Sequence, residues 1–420
     1  MSKTEIKSLT VALPNPIIEN EVIKTFSKKF NLKSSTPKLE VCQGSRKGDN
    51  YMGVIYRVVI NLDAEERGTS SIICKTEPES QARREHLRTR VIFNKEAFVY
   101  NELLKEYAKF EDWKKIPQDL RFNNYPTCLA TGEGFLIVTD MCNQGFKMHD
   151  PSTKLDLNHV ALAFKMLGHF HALGYAIKYQ KPDLLKTFLK PLEDKYFGEP
   201  VNKGLYDYIK VMFRHSADTL DKDEEARSKI INISQKLDVI IPRMMTCADA
   251  EPYAVITHGD FWRNNIMYKY QNGDPKSACL LDYQMCRYAS PALDLAYFIF
   301  CCTDKSFRDS NYTQVLKIYY ESLSTHLHYL GLDALSVLPY QELERHMKQF
   351  GLYGVVIASL ILKSESLDDS ESFDLDQVAD ILRRNEDMGT LLKCSDKSWK
   401  IFKNRMGSVL RDANRLGMLD

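Results

Sequence analysis

The residues of this chain that are best suited to chemistry lie between positions 258 and 282. The segment 258–265 reads HGDFWRNN, which has the form His-x-Asp-x-x-x-x-Asn, and the triplet LLD follows at 280–282. A carboxylate, an amide and a second carboxylate in this order suit the transfer of a phosphoryl group from a nucleotide to a hydroxyl. We predict that Asp260 is the catalytic base. We predict that Asn265 and Asp282 bind Mg²⁺, because amide and carboxylate oxygens are hard ligands.

These side chains need a loop held between strands. Short apolar runs flank Asn272-Gly273, a dipeptide typical of a tight hairpin turn, so we expect a hairpin that ends at Asp282. His258 is predicted to brace the catalytic loop through hydrogen bonds. Asp294 lies in the first turns of an apolar helix, where the helix dipole alone favours a carboxylate. We predict that Asp294 also braces the catalytic loop from below.

A second group of candidates lies in the first hundred residues. The runs 39–42, 54–62 and 71–75 read as strands of an antiparallel meander, and 91–107 has helical apolar spacing. Lys75 ends the third strand, where a lysine can steady nucleotide phosphates, and Glu96 on the helix can pair with it. The glycine-rich stretch 43–53 lacks a Gly-x-Gly-x-x-Gly pattern. It could cover the phosphates or form a plain hairpin turn, and the sequence favours neither.

The order of the elements predicts an α+β protein with a bilobal, protein-kinase-like fold. Strand patterns dominate residues 1–141, which we assign to a small antiparallel-sheet N-terminal lobe. Helical periodicity dominates residues 142–420, which we assign to a large, mainly helical C-terminal lobe with the catalytic loop, metal site and acceptor pocket.

Composition narrows the class of partner. The formal net charge is +1, from 57 basic and 56 acidic residues, so nothing suggests a nucleic-acid partner. The apolar stretches around 293–302 and 352–362 are too short to span a bilayer. The ten cysteines include no Cys-x-x-Cys pair, which indicates free thiols in a reducing compartment. We therefore expect a cytoplasmic protein with no membrane span.

Taken together, these motifs resemble the insect ecdysteroid-kinase-like family, also called CHK-kinase-like. This family belongs to the choline kinase and aminoglycoside phosphotransferase group within the protein-kinase-like fold. The resemblance covers roughly residues 40 to 360. It is carried by GDNY at 48–51, ICK at 73–75, FNKEAF at 93–98, VTDM at 138–141, LGHFHA at 167–172, HGDFWRNN at 258–265, LDYQ at 281–284 and FGLYG at 350–354.

The resemblance implies an ATP-dependent kinase that acts on a small molecule. Thr139, Asp140 and Met141 would match the hinge that bonds adenine through backbone groups, and Asn50 would belong to the nucleotide-binding residues. The family pattern has Glu-Asp at the hinge, whereas this chain has Thr139-Asp140. Family acceptors are thought to include ecdysteroids and plant or other xenobiotic alcohols.

Three hypotheses follow for the function. The first is a kinase for a hydroxyl of an apolar acceptor, such as a steroid or a xenobiotic alcohol. The second is a choline- or ethanolamine-type kinase, which needs an acidic or aromatic cage for a cation that the sequence does not locate. The third is a pseudokinase that binds nucleotide or a ligand without turnover; only the atypical glycine stretch supports it.

Overall fold

A computed structural model describes residues 11–30, 39–44, 53–61, 69–86, 88–193, 203–222, 224–368, 370–371, 381, 384 and 388–420. Within these residues the chain combines an N-terminal antiparallel sheet with a mainly helical C-terminal part. The predicted α+β class is confirmed. The proposed boundary between residues 141 and 142 stays a prediction.

The N-terminal sheet has five antiparallel strands in the order β1-β2-β3-β5-β4. Their bounds are β1 Leu39–Gln43, β2 Val54–Asn61, β3 Thr69–Thr76, β4 Cys128–Gly132 and β5 Phe135–Thr139. Lys75 lies near the end of β3, paired with Ile55 of β2 on one side and Leu136 of β5 on the other. Two neighbouring strands therefore fix the backbone of Lys75.

Four helices accompany this sheet: α1 Pro16–Phe30, α2 Gln81–His86, α3 Thr89–Phe98 and α4 Leu104–Lys114. A π-helical turn, Val99–Leu103, joins α3 to α4 without a break. Ile18, Val22 and Phe26 of α1 pack on one face of the sheet. Helix α3 carries Glu96 and contacts the turn that follows Asp282, so it links the N-terminal sheet to the catalytic region.

The region that carries the predicted catalytic residues is built on five short strands: β6 Phe146–Met148, β7 Val255–Thr257, β8 Ile266–Gln271, β9 Asp274–Leu280 and β10 Arg287–Ala289. Strands β6, β8 and β9 form one antiparallel sheet, and β7 pairs with β10. The turn between β8 and β9 has positive φ at Asn272 (54°) and Gly273 (87°), as a tight hairpin of this kind requires. The catalytic loop leaves β7 and enters β8.

The helices of the C-terminal part surround these strands. They are α5 Leu157–Gln180, α6 Pro182–Leu192, α7 Lys203–Ser216, α8 Glu225–Ser234, α9 Leu237–Met244, α10 Ala292–Cys302, α11 Lys305–Tyr329, α12 Ala334–Val337, α13 Tyr340–Phe350, α14 Leu352–Ser366 and α15 Asp396–Arg415. Helix α5 is long and apolar enough to cross a membrane by length and composition, but 78% of its most apolar stretch is buried inside the protein. It serves as the central core helix, packed along α11.

The structure differs from the predicted elements in two ways. The predicted helix 91–107 is divided by the π-helical turn and extends to Lys114, and strands β4, β6 and β10 were not predicted. All ten cysteines are free, as expected from their spacing. The glycine-rich stretch is only partly described: Gly44 and Gly53 lie within the described residues, whereas Gly48 and Asn50 lie outside them.

Candidate active site

Asp260 lies in the loop between β7 and β8, and both of its carboxylate oxygens accept hydrogen bonds. Tyr297 of α10 donates its hydroxyl to Oδ1 over 2.8 Å, and the Asn265 side chain donates Nδ2 to Oδ2 over 2.8 Å. Asn265 Nδ2 also lies 2.9 Å from the Asp260 carbonyl oxygen. Because each oxygen has a partner on a different element, the carboxylate has one fixed orientation.

Gly259 allows the loop to turn at this point. Its φ is +81°, in the left-handed region that side chains with a Cβ rarely adopt. A Cβ at this position would stand 1.9 Å from the carbonyl oxygen of Met285. Only glycine fits between the catalytic loop and the turn after β9.

Asp294 holds the start of the catalytic loop from α10. It is 1% exposed, and its carboxylate accepts the backbone N–H groups of His258 (2.7 Å) and Gly259 (2.8 Å). The same carboxylate lies 3.1 Å from Nε2 of His171, whose Nδ1 lies 2.8 Å from the Tyr319 hydroxyl. These donors hold the pKa of Asp294 below its usual value, although burial acts in the opposite direction. These contacts tie the start of the catalytic loop to α10, and the bracing role of Asp294 stays a prediction.

His258 connects the loop to the strand that carries Asp282. Its Nε2 lies 2.9 Å from the carbonyl oxygen of Leu281, and its Nδ1 accepts the backbone N–H of Asp260 at 3.3 Å. This pattern fits a neutral ring with the proton on Nε2. Burial also lowers the pKa of His258, which disfavours the charged form. Its geometry is that of a brace between two loops.

Lys75 reaches from the N-terminal sheet to three acceptors in a buried cluster. Its Nζ lies 2.8 Å from Glu96 Oε2, 2.9 Å from Asp282 Oδ1 and 3.1 Å from Gln284 Oε1. An ammonium group has three N–H donors, so these contacts use all of them. Burial alone would lower the pKa of Lys75, but the carboxylates of Asp282 and Glu96 together raise it. Lys75 is therefore a fixed positive charge.

Asp282 follows β9 in a left-handed backbone conformation, with a φ of 62°. Such a conformation is uncommon for a residue other than glycine, and it frequently marks a functional position. The preceding residue, Leu281, donates its backbone N–H to the Asn265 carbonyl over 2.9 Å. That bond joins the two chain segments that carry the predicted metal ligands, Asn265 and Asp282.

The donor set around Asn265 and Asp282 fits Mg²⁺ bound together with a nucleotide. Asn265 uses Nδ2 on Asp260, so its Oδ1 is the oxygen it can offer, and Asp282 supplies a carboxylate. Among the described residues, no cluster of three or more His, Cys, Asp or Glu side chains could hold a metal alone. Mg²⁺ typically takes one or two protein oxygens and completes its shell with phosphate oxygens and water.

Burial raises the pKa of Asp260 to about 6, and the negative charge of Asp282 adds to the effect. Tyr297 and Asn265 act in the opposite direction, because they donate hydrogen bonds to the carboxylate. A carboxylate with a pKa slightly below neutral is ionised at pH 7 and is still basic enough to accept a proton.

The predicted hinge follows β5. Thr139 uses its backbone N–H on the Thr127 carbonyl (3.0 Å). The buried carboxylate of Asp140 accepts bonds from Arg57 (2.7 Å), Ser71 (2.6 Å) and the Cys142 backbone N–H (2.9 Å). Met141 begins a short 3₁₀ turn and is buried. The Asp140 side chain therefore stabilises the hinge and is not available to a ligand.

Two residues of the site were missed by the sequence analysis. Gln284, two residues after Asp282, is the third acceptor for Lys75 and is buried. Tyr297 bonds Asp260 and follows Asp294 by three residues on the same helix. That spacing was the available signal, because residues three apart lie on one helix face and Asp294 was already predicted to face the loop.

The fold and the site define a kinase-like phosphotransferase. The family model of the ecdysteroid kinase-like family matches residues 47–332, and the chain belongs to this family. The match confirms the resemblance seen in the motifs. It also confirms the expectation of an ATP-dependent phosphotransferase that acts on a hydroxyl group. Among curated proteins, none matches the sequence of this chain.

Solved structures give weak likenesses. An ethanolamine kinase of Plasmodium vivax is 12% identical, with a TM-score of 0.43, over 97% of this chain and 91% of that one. The GDP complex of aminoglycoside 2′-phosphotransferase-IIIa is 12% identical, with a TM-score of 0.44, over 92% and 98%. A microcompartment-associated aminopropanol kinase is 9% identical, with a TM-score of 0.40, over 95% and 100%. At these values the likenesses say nothing about the substrate of this chain.

Proposed function

We propose that this protein transfers the γ-phosphoryl group of ATP to a hydroxyl of a small-molecule alcohol, with Asp260 as the base. The observation that carries the proposal is the meeting of two distant parts of the chain at one buried point. Lys75 of the N-terminal sheet contacts Glu96 on α3. It also contacts Asp282, which lies 207 residues further along the chain. A lysine, its supporting glutamate and a metal-binding aspartate in contact are the parts that phosphoryl transfer needs.

On the nucleotide side, the Lys75 donor that contacts Asp282 would turn to a phosphate oxygen, while Glu96 and Gln284 hold the ammonium group in position. Asn265 and Asp282 would hold Mg²⁺, which, when bound, neutralises negative charge on the phosphates. Adenine lies against the hinge formed by Thr139, Asp140 and Met141 and bonds backbone groups. Asn50 belongs to the glycine-rich stretch on this side. The lobe boundary at residues 141 and 142 places the hinge between the two lobes.

On the acceptor side, the Asp260 carboxylate accepts the proton of the attacking hydroxyl. Hydrogen bonds from Tyr297 and Asn265 hold the Asp260 carboxylate in a single orientation. Positioning of this kind supplies much of the rate enhancement in phosphoryl transfer, because the reaction needs little covalent participation from protein groups. His258 and Asp294 keep the loop in shape through backbone contacts and do not touch the reacting atoms.

The acceptor we propose is an ecdysteroid, another steroid or a xenobiotic alcohol. We propose that the protein binds it in the cytoplasm. Membership of the ecdysteroid kinase-like family supports this class. A choline-like cation is a poorer fit, because the cavity beside the catalytic loop is lined by five basic and two acidic side chains. A pseudokinase is also a poorer explanation, since Lys75, Asp260, Asn265 and Asp282 are all present, Lys75 contacts Asp282, and Asn265 donates a hydrogen bond to Asp260.

The test is Asp260→Asn, measured by ADP release with ecdysteroids, choline and plant alcohols as acceptors. Loss of a positioned base lowers the rate by about 10²–10⁴-fold, whereas ATP affinity stays near that of the wild type. Asp183→Asn, which changes an exposed aspartate on α6, is the matched control and leaves turnover unchanged. Undiminished turnover in Asp260→Asn would contradict the assignment. ATP binding without acceptor turnover in the wild type would favour a pseudokinase.

A further inference from the structure

A cavity of about 800 Å³ lies beside the catalytic loop, in the C-terminal part of the protein. It is bounded by the segment 151–155 before α5, the start of α11, and one face each of α14 and α15. Arg263 of the catalytic loop forms part of its wall. Pockets for drug-sized ligands have volumes of about 300–1,000 Å³, so the cavity has room for a molecule of steroid size.

Helix α10 connects this cavity to the proposed base. Tyr297 bonds Asp260, and Cys301 and Cys302 follow one turn later, about 6 Å further along the helix axis. Arg263 donates its backbone N–H to the Cys302 sulfur at 3.3 Å, and Cys302 lines the cavity. Cys302, the first residue of α10 that lines the cavity, therefore lies about 7.5 Å along the helix axis from Tyr297, the residue that bonds Asp260.

The lining is partly apolar and carries a surplus of positive charge. Leu155, Phe307, Leu362 and Val409 supply apolar surface. The basic side chains are Lys154, Arg263, Lys305, Arg308 and Arg405, and the acidic ones are Asp304 and Glu365.

Three of the five basic groups are paired with aspartates. Arg308 bonds the buried Asp412 over 2.8 Å, Lys305 pairs with Asp309, and Lys154 lies 2.6 Å from Asp304. That leaves the two remaining arginines to a single carboxylate, Glu365. The unbalanced positive charge of the cavity is therefore located at Arg263 and Arg405.

This shared carboxylate satisfies the two guanidinium groups poorly. Arg263 Nη2 and Arg405 Nη2 each lie 2.8 Å from one oxygen of Glu365, but neither oxygen has a well-aligned hydrogen bond. Arg263 Nε is buried and has no hydrogen-bond partner among the residues that the structure describes. Buried polar atoms are normally hydrogen-bonded, and exceptions call for an explanation. A ligand that accepts a bond from Arg263 Nε would remove this deficit, whereas Arg405 Nη2 already lies 3.5 Å from the Cys301 carbonyl oxygen.

We propose that this cavity is the acceptor pocket, and that the acceptor is an alcohol with an apolar body and an acidic group bound by Arg263 and Arg405. The inference rests on the proposed kinase function and narrows its acceptors to steroid or xenobiotic alcohols that carry an acidic group, which neutral ecdysteroids lack. Guanidinium groups bind carboxylates and sulfates through paired, charge-assisted hydrogen bonds. The hydroxyl to be phosphorylated lies at Asp260, and the acidic group lies at the arginine pair about one helical turn away.

The experiment compares matched acceptors that differ only in charge. The probes are hydroxylated bile acids, terpenoid acids and phenolic acids, each alongside its neutral methyl ester. Binding is measured by calorimetry, and turnover by ADP release. In at least one pair, the acid has a kcat/KM about tenfold or more above that of the ester, as the loss of a charged hydrogen bond implies. The difference lies in KM, because the acidic group is remote from the reacting atoms.

Variants of the pair change this preference in opposite directions. Arg405→Gln raises KM for the acid about tenfold and leaves KM for the ester unchanged. Glu365→Gln lowers KM for the acid about fivefold, because it removes a competing negative charge. Arg405→Lys keeps the charge and retains part of the preference, which separates recognition from a structural effect. Arg345→Gln, an exposed arginine paired with Glu342 on α13, is the matched control.

Equal or better use of the ester in every pair overturns the proposal, and so does the absence of binding by every probe. An unchanged ratio of acid to ester in Arg405→Gln and Glu365→Gln overturns it as well. Failure of the kinase function itself has a different signature. In that case ATP does not bind, or neutral alcohols are phosphorylated equally well by wild type and Asp260→Asn.

Discussion

The hydrogen bond from Tyr297 to Asp260 gives the sharpest prediction. Tyr297→Phe removes one donor from a half-buried carboxylate and leaves the ring in place. A hydrogen bond to a charged group contributes about 1.5–3 kcal/mol. One pKa unit corresponds to about 1.4 kcal/mol, so loss of the bond raises the pKa of Asp260 by roughly one to two units.

The sign of the effect on activity follows directly. The wild-type carboxyl has a pKa of about 6, so activity falls as the pH drops through 6 and the base becomes protonated. In Tyr297→Phe the midpoint moves to roughly pH 7–8. At pH 7 the ionised fraction of Asp260 then decreases from about nine-tenths to between about one half and one tenth.

The assay is kcat/KM for the acceptor between pH 5 and pH 9, because this ratio reports groups of the free enzyme. Tyr288→Phe is the matched control, since Tyr288 also donates its hydroxyl to a carboxylate, Glu251, over 2.7 Å, but outside the site. Its profile coincides with that of the wild type. An acidic limb that stays in place in Tyr297→Phe, or moves to lower pH, refutes the reasoning.

Three further predictions concern the residues around the phosphates and the loop. Lys75→Met lowers kcat/KM for ATP by about 10²–10³-fold, as loss of a charge-stabilising donor does. If steady-state kinetics give an unchanged kcat/KM for ATP, Lys75 does not bind the nucleotide. Gln284→Leu removes one acceptor from Lys75 and raises KM for ATP about tenfold, and an unaltered KM would show that Glu96 alone positions the lysine. Asp294→Ala leaves two buried backbone donors and the His171 ring without their acceptor, and unsatisfied buried groups cost about 1–3 kcal/mol each. Urea denaturation should therefore show a loss of at least about 3 kcal/mol, and a loss below about 1 kcal/mol would contradict the bracing role.

Local sequence determined the parts of the site that are close together in the chain. Asp260 and Asn265 share one loop, and the Asn272-Gly273 turn returns the chain so that Asp282 follows beside them. The two-residue turn sets the pairing beside it, and a register shift between Lys269 and Tyr270 adjusts the rest of the hairpin. The order of the motif therefore indicates which residues come close together, and the motif alone could reveal the family.

Tertiary structure decided which distant side chains meet and how they are oriented. The contact of Lys75 with Asp282, the third bond to Gln284 and the bond from Tyr297 depend on side-chain directions that periodicity does not give. Strand β4 was missed because its short sequence has little strand character, and pairing with β5 stabilises it.

The proposed acceptor cavity shows the same difference between local sequence and tertiary packing. Arg263 was visible in the catalytic motif, but Glu365 and Arg405 lie about 100 and 140 residues later, on helices that the sequence predicted only in outline. Helix periodicity states which residues share a face, and it does not state which helices pack together. The sequence by itself determined the chemistry of phosphoryl transfer. Only the packing of α10, α14 and α15 decided where the positive charge of the cavity lies, because long-range packing sets the position of charges that are far apart in the chain.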